Sequence, residues 1–271
     1  MALTTIGLMA LLGCFTGFMA GLLGIGGGMI ITPFLIMLIP SSLIPHDHIV
    51  HVAIATSLAT IAFTSLSSVS AHHKRGAVLW NVVASVAPGI LVGAVVGAQI
   101  AGWLPTFWLS LIFAGFVGFS AFKMFLNKSP RPDRNLPGTM GKFFMGIAIG
   151  ILSALVGAGG GFISVPWMVW CNVKMQNSVA TSAAFGFPIA LFGTIGYIIS
   201  GWNVSGLPPW PIDLGYICIP ALFSVAITSV LFAPLGAKVA HSIDTKPLKK
   251  IFACLLCFVC LYMIRQAYLA M

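Results

Sequence analysis

Eight apolar runs, most of them close to the roughly 20 residues that cross a bilayer, take up almost the whole of this chain. They fall at residues 3–40, 49–71, 78–101, 105–126, 139–171, 178–200, 211–236 and 248–269. Backbone N–H and C=O groups in hydrocarbon must be satisfied within the protein, and runs of this length do so as helices. The pattern predicts an all-α, polytopic integral membrane protein. Charged residues make up 6% of the chain, so no stretch is left for a soluble domain. The opening residues, Met1-Ala2-Leu3-Thr4-Thr5, carry none of the positive charge that starts a cleaved signal peptide and read as part of the first span.

The first and fifth runs are interrupted in the same way. Gly21-Leu22-Leu23-Gly24-Ile25-Gly26-Gly27-Gly28, running on to Pro33, returns as Gly157-Ala158-Gly159-Gly160-Gly161, running on to Pro166. One interval of 133 residues separates Gly24 from Gly157 and Pro33 from Pro166. Further along, Ala55-Thr56-Ser57 matches Ala180-Thr181-Ser182, Pro88 matches Pro220, and Gly97-Ala98 matches Gly236-Ala237. Agreement at so many places indicates a duplication. The expected organisation is a first transmembrane repeat at 1–126, a polar, proline-rich cytoplasmic linker at 127–138 and a second repeat at 139–271. Each repeat would hold a glycine-broken helix, re-entrant or discontinuous.

Basic residues decide how the halves are oriented, because short cytoplasmic loops carry the Lys and Arg excess. If each glycine-broken run crosses once, the basic residues divide eight against five. If each enters and leaves on one side, Lys74, Arg75, Lys123, Lys128, Arg131, Arg134, Lys142, Lys174, Lys238, Lys246, Lys249 and Lys250 share a face and only Arg265 lies opposite. Twelve against one selects the second arrangement. Each half then has an odd number of crossings, so the halves form an inverted repeat with both termini outside. Trp103, Trp108, Trp202 and Trp210 then gather at outer loop ends, as an aromatic belt does. The net charge of +9 is accounted for by topology and anionic lipid, and the chain is not expected to bind nucleic acid.

Candidate chemistry follows from the glycines. A half-helix that starts after such a cluster presents unpaired N–H groups and the positive end of its dipole, which together cradle an anion. Two such ends would meet near mid-membrane in an inverted repeat. On this argument Gly24, Gly26, Gly27, Gly28, Gly157, Gly159, Gly160 and Gly161 are candidate substrate-binding positions. Thr56, Ser57, Thr181 and Ser182 join them as hydroxyl donors. The further hydroxyls Thr60, Thr64 and Ser67 or Ser68 share a helix face but are expected to bond back to the preceding turn. Asn81 and Asp213 are read as helix caps, and Lys238, matched to Gln99, as a side chain reaching the headgroups. His46, Asp47, His48 and His51 read as a solvated loop, and His72-His73-Lys74-Arg75 as a basic helix end that concentrates anions. Cys254, Cys257 and Cys260 share a helix face without histidine or acid beside them and read as small packing residues, so no metal or cofactor is expected. No serine–histidine, paired-acid or zinc constellation lies inside the spans, and the chain is not read as an enzyme. A cation or metal carrier using carbonyl oxygens at the breaks, with the histidines as external collector, is the alternative to an anion carrier.

The glycine segment through Pro33, the following Ala55-Thr56-Ser57 and the second copy resemble the TauE/SafE family of membrane transporters, also called the toluene sulfonate uptake permease family. The resemblance covers nearly the whole chain. It implies transport, often export, of sulfite, sulfoacetate or other organosulfonates across the bacterial inner membrane by a multi-pass protein. The expected partners are a small anionic substrate and the lipid bilayer, and the reading is compatible with a homodimer. No acidic or histidine side chain lies deep in a span, so proton coupling through a membrane carboxylate is not expected. An anion leaving an inside-negative cell gains about 2.3 kcal/mol per charge per 100 mV, which alone can drive export.

Overall fold

Helices form where the apolar runs lie and stop at glycine or polar interruptions, while Pro33, Pro88, Pro166, Pro188 and Pro234 lie inside helices. The computed structural model describes residues 3–24, 27–39, 44–126, 135–202, 204, 207–208, 213–240, 242 and 246–270. Gly26, Trp210, Asp133, Asp244 and linker residues 127–134 lie outside these. In chain order the helices are α1 (Leu3–Leu23), α2 (Gly28–Leu38), α3 (Ile49–His73), α4 (Trp80–Trp103), α5 (Thr106–Leu126), α6 (Thr139–Val156), α7 (Gly161–Trp170), α8 (Met175–Gly201), α9 (Ile219–Ala240) and α10 (Lys246–Leu269). Between α8 and α9 lies a two-stranded antiparallel hairpin, β1 (Asp213–Leu214) and β2 (Ile217–Cys218), the one departure from an all-helical fold among the described residues. Eight of the helices are long and apolar enough to cross a membrane, and α2 and α7 are shorter apolar helices of 11 and 10 residues. The chain is a multi-pass membrane protein.

Small residues set how the helices pair. Without a hydrophobic force between helices in lipid, association rests on close packing, and glycines let backbones touch. Gly13, Gly17 and Gly21 of α1 lie against Val225, Ser229 and Ala233 of α9. Gly89, Gly93 and Gly97 of α4 lie against Phe143, Ile147 and Ile151 of α6. Residue numbers rise together along both seams, so α1 runs parallel to α9 and α4 parallel to α6. A methyl group on Gly17 would stand 2.2 Å from the Ser229 carbonyl oxygen, and one on Gly93 2.3 Å from that of Ile147. Along α3 and α8 the numbers run in opposite senses, with Leu58 beside Gly193 and Ser65 beside Gly186. These two helices are antiparallel.

The centre belongs to α3, 83% of whose span is buried, against 33–39% for α4, α5, α6, α9 and α10. The outer helices turn Trp103, Trp108, Phe122, Leu231 and Leu261 outward, and Trp202 is exposed beside them at the end of α8. Lys238 is exposed near the end of α9, as a snorkelling side chain should be.

Several sequence expectations are corrected. His51 is 3% exposed and belongs to α3, not to a solvated loop. Its Nε2 lies 3.1 and 3.0 Å from the carbonyls of Ala101 and Leu104, where it ties down the end of α4, and its ring stacks on Tyr216 at 5.2 Å. His46 and Asp47 are exposed as expected. Secondly, Pro88 lies inside α4 whereas Pro220 is the second residue of α9, so these two prolines hold different places in their helices. Asn81 does not cap α4, whose N-cap is Leu79, and Asp213 lies in the hairpin. Thirdly, Cys254 and Cys257 are exposed, while only Cys260 packs inward, its Sγ–H donating to the Ala114 carbonyl.

Candidate functional site

The two glycine junctions meet in the middle of the molecule. A side chain on Gly28 would stand 1.9 Å from the carbonyl oxygen of Gly157, so these backbones are in direct contact. Each junction needs a left-handed backbone immediately before its short helix: Gly27 has φ of 75° and Gly160 of 77°, which L side chains rarely adopt. Intrahelical bonding then starts with Ile30 and Ile31 N–H donating to Gly27 O, and with Ile163 and Ser164 N–H donating to Gly160 O. The N–H groups of Gly28, Met29, Gly161 and Phe162 precede any intrahelical acceptor, and the positive ends of both helix dipoles lie there.

Two pairs of hydroxyls reach across between the halves. Ser57 of α3 donates to the carbonyl of Gly157 at 3.1 Å, and Ser182 of α8 donates to the carbonyl of Gly24 at 3.0 Å. Thr56 accepts the N–H of Cys218 and Thr181 accepts that of Leu79, both at 3.0 Å, immediately ahead of α9 and α4. All four hydroxyls are fully buried and engaged with backbone. They hold the junctions and the starts of the next helices. Gly24, Gly27, Gly28, Gly157, Gly160, Thr56, Ser57, Thr181 and Ser182 are thus brought into one central assembly, with Gly159 and Gly161 in the same junction; Gly26 lies outside the described residues.

The rest of the α3 stripe divides. Thr60 and Thr64 bond back to Thr56 O and Thr60 O, as expected from helical spacing, and Thr64 also meets Ser229 at 2.6 Å. Ser67 donates to Val230 O. Ser68 differs: it is 2% exposed and its Oγ has no hydrogen-bond partner. Thr32 and Ser153 are likewise fully buried with unpartnered hydroxyls. Thr32 Oγ1 lies 3.0 Å from where a side chain on Gly157 would begin, and Ser153 Oγ 3.1 Å from that point on Gly160. Buried hydroxyls without partners are costly and call for an explanation, which a ligand or water supplies. None of the three was singled out by the repeat, because Thr32 and Ser153 have no counterpart in the other half. A hydroxyl in the turn beside a glycine cluster is the signal that could have found them. Ser164, which donates to Ser182 at 2.8 Å, was missed for the same reason.

Beside the junctions lies a small, partly open recess with room for about one water molecule. Ala20 and Gly24 form one wall, Ser65 and Ser68 a second, and Gly159, Ala183 and Gly186 the remainder. Every lining residue is small and uncharged. One turn beyond Ser68, buried His72 places its Nε2 3.1 Å from the carbonyl of Gly21, and past it His73, Lys74 and Arg75 are exposed. Among the described residues, no group of three or more His, Cys, Asp or Glu is placed to hold a metal ion. At the opposite end burial pushes the Tyr216 phenol above its ordinary range.

Comparison with known proteins places this geometry in a family context. The profile described as Sulfite exporter TauE/SafE matches residues 9–263. A probable membrane transporter protein of Haemophilus influenzae is 34% identical over 261 residues, covering 96% of this chain and 98% of that one. The probable membrane transporter protein MJ0441 of Methanocaldococcus jannaschii is 27% identical, covering 95% and 94%. YdhB of Bacillus subtilis, also a probable membrane transporter protein, is 30% identical over 69% of this chain and 76% of its own. No solved structure matches.

Proposed function

Since the chain belongs to the TauE/SafE sulfite exporter family of membrane proteins, we propose that it is a transporter, not an enzyme, that carries a small sulfur-containing anion such as sulfite or an organosulfonate, outward across the bacterial inner membrane. The observation that carries this reading is the contact of the two glycine junctions, where Gly28 at the start of α2 meets Gly157. Backbone N–H groups and buried hydroxyls there would replace part of an anion's hydration shell without a buried arginine, at the positive ends of two helix dipoles. The unpartnered hydroxyls of Thr32 and Ser153 add donors at the same place.

The antiparallel course of α3 and α8 supports an inverted repeat of 1–126 and 139–271, as do the exchanged seams α1 with α9 and α4 with α6. In such a repeat the two halves rock about the shared centre. A cation carrier is the weaker reading, because the Gly24 and Gly157 carbonyls that would coordinate the ion already accept serine hydroxyls.

The test is sulfite flux into proteoliposomes under an imposed potential, without a proton or sodium gradient. Flux that follows the potential is expected. Gly27→Leu and Gly160→Leu, which force a branched side chain into a left-handed backbone, are expected to abolish flux while the protein still inserts. Wild-type flux in both variants overturns the proposed site.

A further inference from the structure

The two sides of the glycine junctions are not filled alike, although the helices that flank them correspond. Matching Thr56 and Ser57 to Thr181 and Ser182 places Leu58 opposite Ala183 and Ile61 opposite Gly186. On the α8 side, Ala183 and Gly186 leave the recess that Ser68 lines. On the α3 side the larger residues occupy the equivalent space: Leu58 Cδ1 lies 3.0 Å from where a side chain on Gly193 would begin, and Ile61 Cδ1 2.7 Å from that point on Gly28. The recess also lies toward the end of α3 that carries exposed His73, Lys74 and Arg75, and its one unpartnered side-chain donor is the Ser68 hydroxyl. Ser65, also in the wall, already donates its proton to Ala62 O.

We propose that this recess is the entry end of the path for a small oxyanion arriving from the Lys74 and Arg75 side, with the Ser68 hydroxyl the first donor it meets, and that Leu58 and Ile61 are the plug that closes the opposite side. The inference rests on the transporter reading and adds to it a direction of access and a specificity-determining residue. The basic helix end raises the local anion concentration, the uncharged wall lets the anion shed water only against N–H and O–H donors, and the plug prevents a continuous pore.

Accessibility tests it without knowledge of the substrate. Ser68→Cys and Leu58→Cys, with Lys74→Cys and Trp103→Cys as references for the two faces, are exposed in sealed vesicles to a membrane-impermeant anionic methanethiosulfonate on one side at a time. Modification is read peptide by peptide by mass spectrometry. Ser68→Cys is expected to react from the face that modifies Lys74→Cys, and Leu58→Cys from neither. Reaction of Ser68→Cys only from the Trp103→Cys face, its resistance from both faces, or ready modification of Leu58→Cys overturns the proposal. In flux measurements Ser68→Ala is expected to raise the KM for sulfite about tenfold, the loss of one hydrogen bond to a charged group, with Vmax retained and Ser68→Thr close to wild type. An unchanged KM removes Ser68 from the site. Absence of sulfite flux in the wild-type protein would retire the sulfite reading, and the accessibility result still decides the recess.

Discussion

Ser57 and Ser182 stand in for groups that the helix interruptions leave bare. A carbonyl freed from a helix inside the bilayer has no water to turn to, and each of these hydroxyls satisfies one belonging to the other half. Ser57→Ala and Ser182→Ala each leave a buried acceptor unsatisfied and are expected to cost about 1–3 kcal/mol, measured as a lowered midpoint of thermal unfolding in detergent. Thr56→Val and Thr181→Val act on the N–H groups of Cys218 and Leu79 and should destabilise similarly, whereas Thr60→Val, which loses only a bond to the preceding turn, should change little. The sequence showed these four hydroxyls as one set because they repeat, and a repeat is visible in letters. It did not show what they bind, since a hydroxyl that donates to a ligand and one that donates to a carbonyl are the same residue. Thr32 and Ser153 went unnoticed for the opposite reason, because they break the repeat, and Ser68 was read as bonding back to the preceding turn; the distinguishing property of all three is the lack of a partner, which only three dimensions reveal.

Among the helices, the seams of small residues carry the packing. Gly13, Gly17 and Gly21 recur every four residues and present one flat face, as do Gly89, Gly93 and Gly97. Gly17→Leu or Gly93→Leu pushes a side chain into the facing backbone and is expected to prevent folding, seen as loss of the monodisperse peak in detergent chromatography. Gly7→Ala, with open space around it, should elute as wild type. Helix positions were legible because the bilayer imposes a length on every span. The prolines were poorer guides. A proline is tolerated in the first turn of a helix and kinks its interior, so Pro220 and Pro88 share a residue type without sharing a role. His51 misled for a related reason, since a histidine near a run's start reads as polar loop until its carbonyl partners on another helix are known.

At the scale of the whole molecule, charge and contact point the same way. The exposed cluster His73, Lys74 and Arg75 lies at one end of α3, and the tryptophans Trp103, Trp108 and Trp202 lie at the other ends of the spans. Reporter tags joined to the two termini are therefore expected on the same side of the membrane, opposite to a protease site placed in the 127–134 segment. Termini on different sides would exclude the inverted arrangement. The pairing of α1 with α9 also bears on how the protein is made. Some 200 residues of synthesis separate Leu23 from Ile219, which at roughly 5–20 residues per second is about 10–40 s of translation. Through that interval the glycine face of α1 lies against lipid with its final partner unborn. Residues 1–126 made alone would be quality-control substrates, rescued when residues 139–271 are supplied from a second message.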